Sequence, residues 1–164
     1  MKAGKPGVEI ELLLRIIDQS YNHPSWHGTN LRNSLRGLTV KEAAWRPAPG
    51  RHNIWEIAVH AAYWKYIVRR RLLREPRGSF PLKGSNWFVR PGSGGRKEWE
   101  ADLALLDDIH GTLREAIAGL PCEKLNLRAF GSKVTNAATI YGVASHDVYH
   151  AGQIQLLKRL FRTR

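Results

Sequence analysis

The chain has 164 residues, 43% of them hydrophobic and 24% charged, and carries a formal net charge of +12. That length suits one domain and buries roughly 68–70% of the unfolded surface, so the core needs no staple. The single cysteine, Cys122, excludes an intrachain disulfide and fits a reducing cytoplasm. The N-terminal stretch has no apolar signal core, and no run reaches the roughly 18 apolar residues of a membrane span.

The first helix starts near Val8, where Ile10, Leu13, Leu14, Ile17 and Tyr21 recur at helical spacing. It breaks at His23-Pro24 and is expected to resume from Trp26 to Leu38. Thr39 and Glu42 form a capping box that opens a short helical turn, ended by Arg46-Pro-Ala-Pro-Gly50. A second long helix opens at the Asn53 cap, with Glu56 at its third position, and runs to about Arg74 before Pro76. Its stripe is Ile57, Ala61, Trp64, Ile67 and Val68, and His60 lies within it.

Residues 79–95 are rich in Gly, Pro and Ser, which argues against regular structure. A link this long inside a compact domain is functional or a crossover, and Trp87 and Phe88 predict that it folds back over the body. A third helix covers about Arg96 to Ala118, with Trp99, Leu103, Leu106, Leu113 and Ile117 as its stripe and His110 beside it. After a second irregular link, over 121–135, a fourth helix runs from about 136 to 161. With no strand pair, the expected fold is all-α: a four-helix bundle with long crossover loops.

The chemistry concentrates on His146 and His150. Residues four apart stack on one helix face, so the two imidazoles can hold one divalent metal ion. Ala144, Val148 and Ala151 flank them, and burying imidazoles among apolar groups is costly unless they are hydrogen-bonded or coordinated. His60 and His110 compete for the position of third ligand. Three neutral imidazoles leave coordination positions open, as in catalytic sites, and their softness admits Zn, Ni, Co, Fe or Cu. Asp147 lies about 100° around the helix from His146 and reads as a supporting or surface group. Gln153, three residues past His150, is placed to orient a ligand. Gly142 and Gly152 each cost about 1 kcal/mol in a helix, which predicts the close approach of a neighbouring helix.

The basic runs Arg69-Arg70-Arg71-Leu72-Leu73-Arg74 and Lys158-Arg159 with Arg162 and Arg164 fall at predicted helix ends. Cations there complement the helix dipole, which weighs against a nucleic-acid footprint.

Three elements, Trp26-His27-Gly28, Asn53-Ile54-Trp55-Glu56-Ile57-Ala58-Val59-His60 and His146-Asp147-Val148-Tyr149-His150-Ala151-Gly152-Gln153-Ile154, together resemble the DinB-like superfamily. The resemblance spans about residues 10 to 162. It implies one four-helix-bundle domain over 1–164, with His60, His146 and His150 binding a divalent metal, Ni or Zn. It thereby favours His60 over His110, implies a homodimer, and gives His27 either a pocket or a packing role. Relatives of this kind include bacillithiol transferases and a mycothiol-dependent maleylpyruvate isomerase. The leading expectation is a metal-dependent enzyme that activates a water or a low-molecular-weight thiol against a small-molecule substrate, by thiol transfer or hydrolysis. The alternatives are a non-catalytic metal-binding stress-response protein and a basic nucleic-acid-binding bundle.

Overall fold

The computed structural model describes residues 7–90 and 95–164. The expectation about the N-terminal segment therefore lies outside the described residues over 1–6, as does the 91–94 part of the long link.

The fold is all-α. Four long helices, α1 (Val8–Tyr21), α4 (Ile54–Leu73), α5 (Arg96–Ala118) and α6 (Asn136–Arg162), pack together. Two short ones, α2 (Leu31–Ser34) and α3 (Val40–Ala44), lie between α1 and α4 in the chain. The helix α4 packs most extensively on α5 and also on α6, while α1 lies against α6 and α5.

Local chemistry sets the helix boundaries. Asn53 Oδ1 accepts from the Glu56 N–H at 2.8 Å and starts α4. Thr39 and Glu42 form the expected capping box at α3, and Thr135 caps α6. The helix α4 ends in a left-handed residue, Arg74 (φ 58°), and the Glu75 N–H then turns back to the Arg70 carbonyl at 2.9 Å. The helix expected over 26–38 narrows to the single turn of α2. Trp26, His27, Gly28 and Thr29 are all exposed, so no packing stabilises a longer helix there.

Two apolar clusters form the core. One gathers Trp55, Ile57, Val59, Leu106 and Ile154, and the other Ile10, Ile17, Leu113, Ile117 and Ile140. Each fully buried aliphatic side chain contributes about 1.5–3 kcal/mol of hydrophobic stabilisation. Phe88 is buried in the first cluster, so the described part of the long link does fold over the body. Gly142 and Gly152 depart from expectation. Both are exposed, and a Cβ at either would meet nothing, so no helix approaches them closely. None of the helices described is long and apolar enough to cross a membrane.

Candidate functional site

The helix α4 presents His60 and α6 presents His146 and His150 to one point. The Nε2 atom of His146 lies 3.1 Å from that of His60 and 3.0 Å from that of His150. Among the described residues this is the His, Cys, Asp or Glu cluster with metal-ligand spacing. The His60 and His150 side chains are buried, and His146 is half-buried.

The hydrogen bonds on the far side of two rings decide what faces inward. The Nδ1 of His60 donates to the Asn86 carbonyl at 2.8 Å, and the Nδ1 of His150 donates to Gln153 Oε1 at 2.7 Å. Both acceptors are oxygens, so both protons sit on Nδ1 and both Nε2 atoms present lone pairs. His146 can offer a proton to only one of them. With its proton on Nε2 it leaves the other lone pair without a donor; with its proton on Nδ1 three lone pairs meet at about 3 Å, which is repulsive unless a cation lies between them. Two nitrogens each about 2.0–2.1 Å from one ion stand roughly 2.9–3.4 Å apart, which matches the spacing seen. The donor set thus fits a divalent ion of the imidazole-binding kind.

Electrostatics point the same way. Burial lowers the His146 pKa to about 3, helped by His150, His60 and Lys65. Burial also lowers His150 to about 4 against the opposing Gln153 bond. His60 is lowered too, chiefly by burial. All three rings are neutral at pH 7, as ligands must be. His146 differs in one respect: its Nδ1 is buried with no hydrogen-bond partner among the described residues.

The surrounding groups hold the rings in place. Trp87 stacks parallel to His60 at 3.8 Å between ring centroids and parallel to His52 at 3.6 Å, so its indole sits between the two imidazoles. His52 is exposed but donates to Glu56 at 3.1 Å. Glu56 is itself buried and also accepts from Arg46 at 2.8 Å and from the Arg90 N–H at 3.3 Å. Burial pushes its carboxyl up, but Arg46, His52 and Arg90 outweigh that and leave it below the usual range. Asn86 adopts φ 62°, and its Oδ1 accepts from the Trp64 indole at 3.0 Å while its carbonyl fixes His60. Sequence singled out neither Asn86 nor the stacking role of Trp87. An asparagine ahead of an aromatic in a Gly/Pro-rich link was the available signal.

The other histidines lie elsewhere. His110 is buried, stacked on Tyr21 at 3.7 Å, and its Nδ1 faces Lys65 Nζ at 3.4 Å. It belongs to a separate polar core and is not part of the cluster. His27 is exposed, and the structure gives it no contact with the three histidines. Of the two readings left open for Asp147, the surface one fails, because the residue is fully buried. It pairs with Lys65, which is also fully buried, because α6 is covered by α1 and α4 on two sides and not one. Burial pushes the Asp147 carboxyl above the usual carboxylate range while the Lys65 ammonium pulls it down.

A cleft of about 460 Å³ opens beside His150 and Trp87, with Tyr149, Gln153, Ile57 and Leu157 on its walls. Gln153 Nε2 donates to the Tyr149 hydroxyl at 2.9 Å, so the residue that fixes His150 also reaches the mouth of the cleft.

A helical bundle whose core turns three neutral imidazoles onto one point defines a class, the histidine-cluster bundles suited to a divalent metal. The DinB superfamily model matches residues 25–154, and the chain belongs to that superfamily. The superfamily is metal-binding, and this chain has three histidines close together. Neither the curated proteins nor the solved structures contain a match to the chain.

Proposed function

We propose that the chain is a single-domain, metal-dependent enzyme in which His60, His146 and His150 hold one divalent ion, Ni or Zn. The observation that carries this reading is the convergence of three neutral Nε2 atoms, two of them committed to lone pairs by their Nδ1 bonds. Such an ion supplies Lewis acidity and lowers the pKa of a bound water or thiol. Asn86 and Gln153 hold two rings in register, as groups behind metal-binding histidines do. Trp87 fixes the plane of His60 and shields one side of the cluster from water. The cleft beside His150 is mostly apolar, which suits a small organic electrophile as substrate and a low-molecular-weight thiol or water as the attacking group. The exposed Tyr141, Tyr149, Leu156 and Leu160 of α6 support a homodimer, and the lone cysteine supports a cytoplasmic setting.

The test is elemental analysis of the purified protein with Zn and Ni titration, followed by a screen of low-molecular-weight thiols against electrophilic substrates. About one ion per chain is expected for the wild type and none for His60→Ala or His150→Ala. Full metal uptake by both variants would overturn the site. Turnover unaffected by His150→Ala would overturn the metal-dependent reaction.

A further inference from the structure

A second cavity, of about 710 Å³, opens between α4 and the link and is not explained by the histidine cluster. Its charge is one-sided. Arg70 and Arg71 line it from α4, and Arg77 and Lys83 line it from the link. Among the described residues no Asp or Glu lines it. Glu75, the nearest acid in the chain, is engaged by Arg69 at 2.8 Å. Cations at a helix C-terminus can serve the free carbonyls, and Arg70 does part of this: its Nη1 donates to the Glu75 carbonyl at 2.9 Å. That role does not account for the rest. Arg70 is only 5% exposed, yet its Nε, like that of Arg71, is buried with no hydrogen-bond partner among the described residues. Burial and the like charges of Arg70 and Arg77 push the Arg71 guanidinium below its ordinary range. Buried guanidinium donors beside like charges and without a partner are costly, and an anion would relieve that cost.

The remaining wall is aromatic. Tyr63 and Phe80 meet edge-to-face at 5.3 Å, and Tyr66 joins them with its hydroxyl held by Ser79. Phosphate alone has no use for such a surface, whereas an anion carried on a planar or apolar body fills both halves.

We propose that this cavity binds a small organic anion, with a phosphate or carboxylate seated among Arg70, Arg71, Arg77 and Lys83 and an apolar body against Tyr63 and Phe80. The site does not depend on the metal reading. It does touch the histidine cluster, because Asn86, whose carbonyl anchors His60, and Trp64, which donates to Asn86, belong to the same cavity wall. An anion that clamps Arg77 and Lys83 of the link onto Arg70 and Arg71 of the helix fastens the segment that ends at Asn86.

Phenyl phosphate is the probe, titrated calorimetrically into the full chain freed of metal with chelator, and in parallel by NMR on the Trp64 indole N–H, assigned with Trp64→Phe. Inorganic phosphate and a short single-stranded oligonucleotide are the comparison ligands. Saturable binding of phenyl phosphate is expected, at least about tenfold tighter than inorganic phosphate, with a shift of the Trp64 signal. A guanidinium–phosphate bond contributes about 1.5–3 kcal/mol, so Arg71→Gln and Arg77→Gln should each weaken binding about tenfold or more. Arg77 lies on the exposed link, so its variant tests the site even if Arg71→Gln perturbs folding. Lack of saturation at millimolar phenyl phosphate would overturn the proposal, as would indifference to Arg77→Gln. Equal affinity for inorganic phosphate would remove the aromatic half. Tighter, Arg77-dependent binding of the oligonucleotide would replace the small anion with nucleic acid.

Discussion

Replacing Lys65 with Met tests the polar core behind the histidines. The Lys65 ammonium is wholly enclosed, paired with Asp147, 3.4 Å from His110 Nδ1 and 4.8 Å from the centre of the Tyr21 ring. Methionine keeps most of the volume and removes the charge. It leaves the Asp147 carboxylate fully buried without its counter-charge, with only the Ser20 hydroxyl nearby to support it. Breaking a buried pair from one side costs about 3–5 kcal/mol. A chain of this size shifts its Tm by about 2–4 °C per kcal/mol, so the fall should be roughly 6–20 °C. Lys65→Met/Asp147→Leu removes both charges, and such apolar replacements are neutral or stabilising by about 1–4 kcal/mol. The double variant should therefore recover most of the loss. Thermal and urea unfolding of metal-free protein at pH 7.5 would measure both. A loss under about 1 kcal/mol for Lys65→Met, or a double variant as unstable as the single, would refute the account of the pair.

Three further outcomes are expected. Gln153→Leu removes the acceptor on His150 Nδ1 and should weaken metal binding about 10–100-fold in a chelator competition, with little change in fold by circular dichroism. His110→Ala should leave metal stoichiometry at the wild-type value while lowering stability by roughly 2–4 kcal/mol, because that ring packs on Tyr21 and not on the cluster. In the metal-free protein, the folded pKa values of about 3 for His146 and about 4 for His150 lie below the unfolded value of 6.5. Folding therefore favours the neutral rings. Their contribution is complete above pH 6.5 and is lost as the pH falls from there toward 4 for His150 and toward 3 for His146, since over that range the unfolded chain takes up the protons first. Urea midpoints from pH 7 to 4.5 should fall less steeply for His150→Gln than for the wild type, and equal slopes would contradict this.

The long helices were legible because caps and stripes agree at their ends. Asn53 with Glu56 marks the start of α4, and the spacing of His146 and His150 fixes a shared helix face whatever packs against it. What was not legible is where a helix is covered on more than one side. Angular reasoning assumes one buried face, so it left Asp147 open as a supporting or surface group, and nothing in it marked Lys65 as enclosed. Periodicity left His60 and His110 both open, because it does not encode the contact of α4 with α6; only the resemblance favoured His60. The anchors Asn86 and Trp87 come from an irregular link whose path depends on tertiary packing.

The two anchored Nδ1 protons bear on what happens in solution when the site fills. A cysteine site must shed one proton for each thiol it commits, so its loading acidifies the medium and its affinity climbs with pH. Here the rings are already deprotonated at the metal-facing nitrogen, and His146 can keep its proton by moving it to Nδ1. If the proposed ion binds, the three rings should liberate essentially no proton at neutral pH. Any buffer-dependent heat of loading, or rise of affinity from about pH 6.5 to 8, would then report the water or thiol that the ion acidifies.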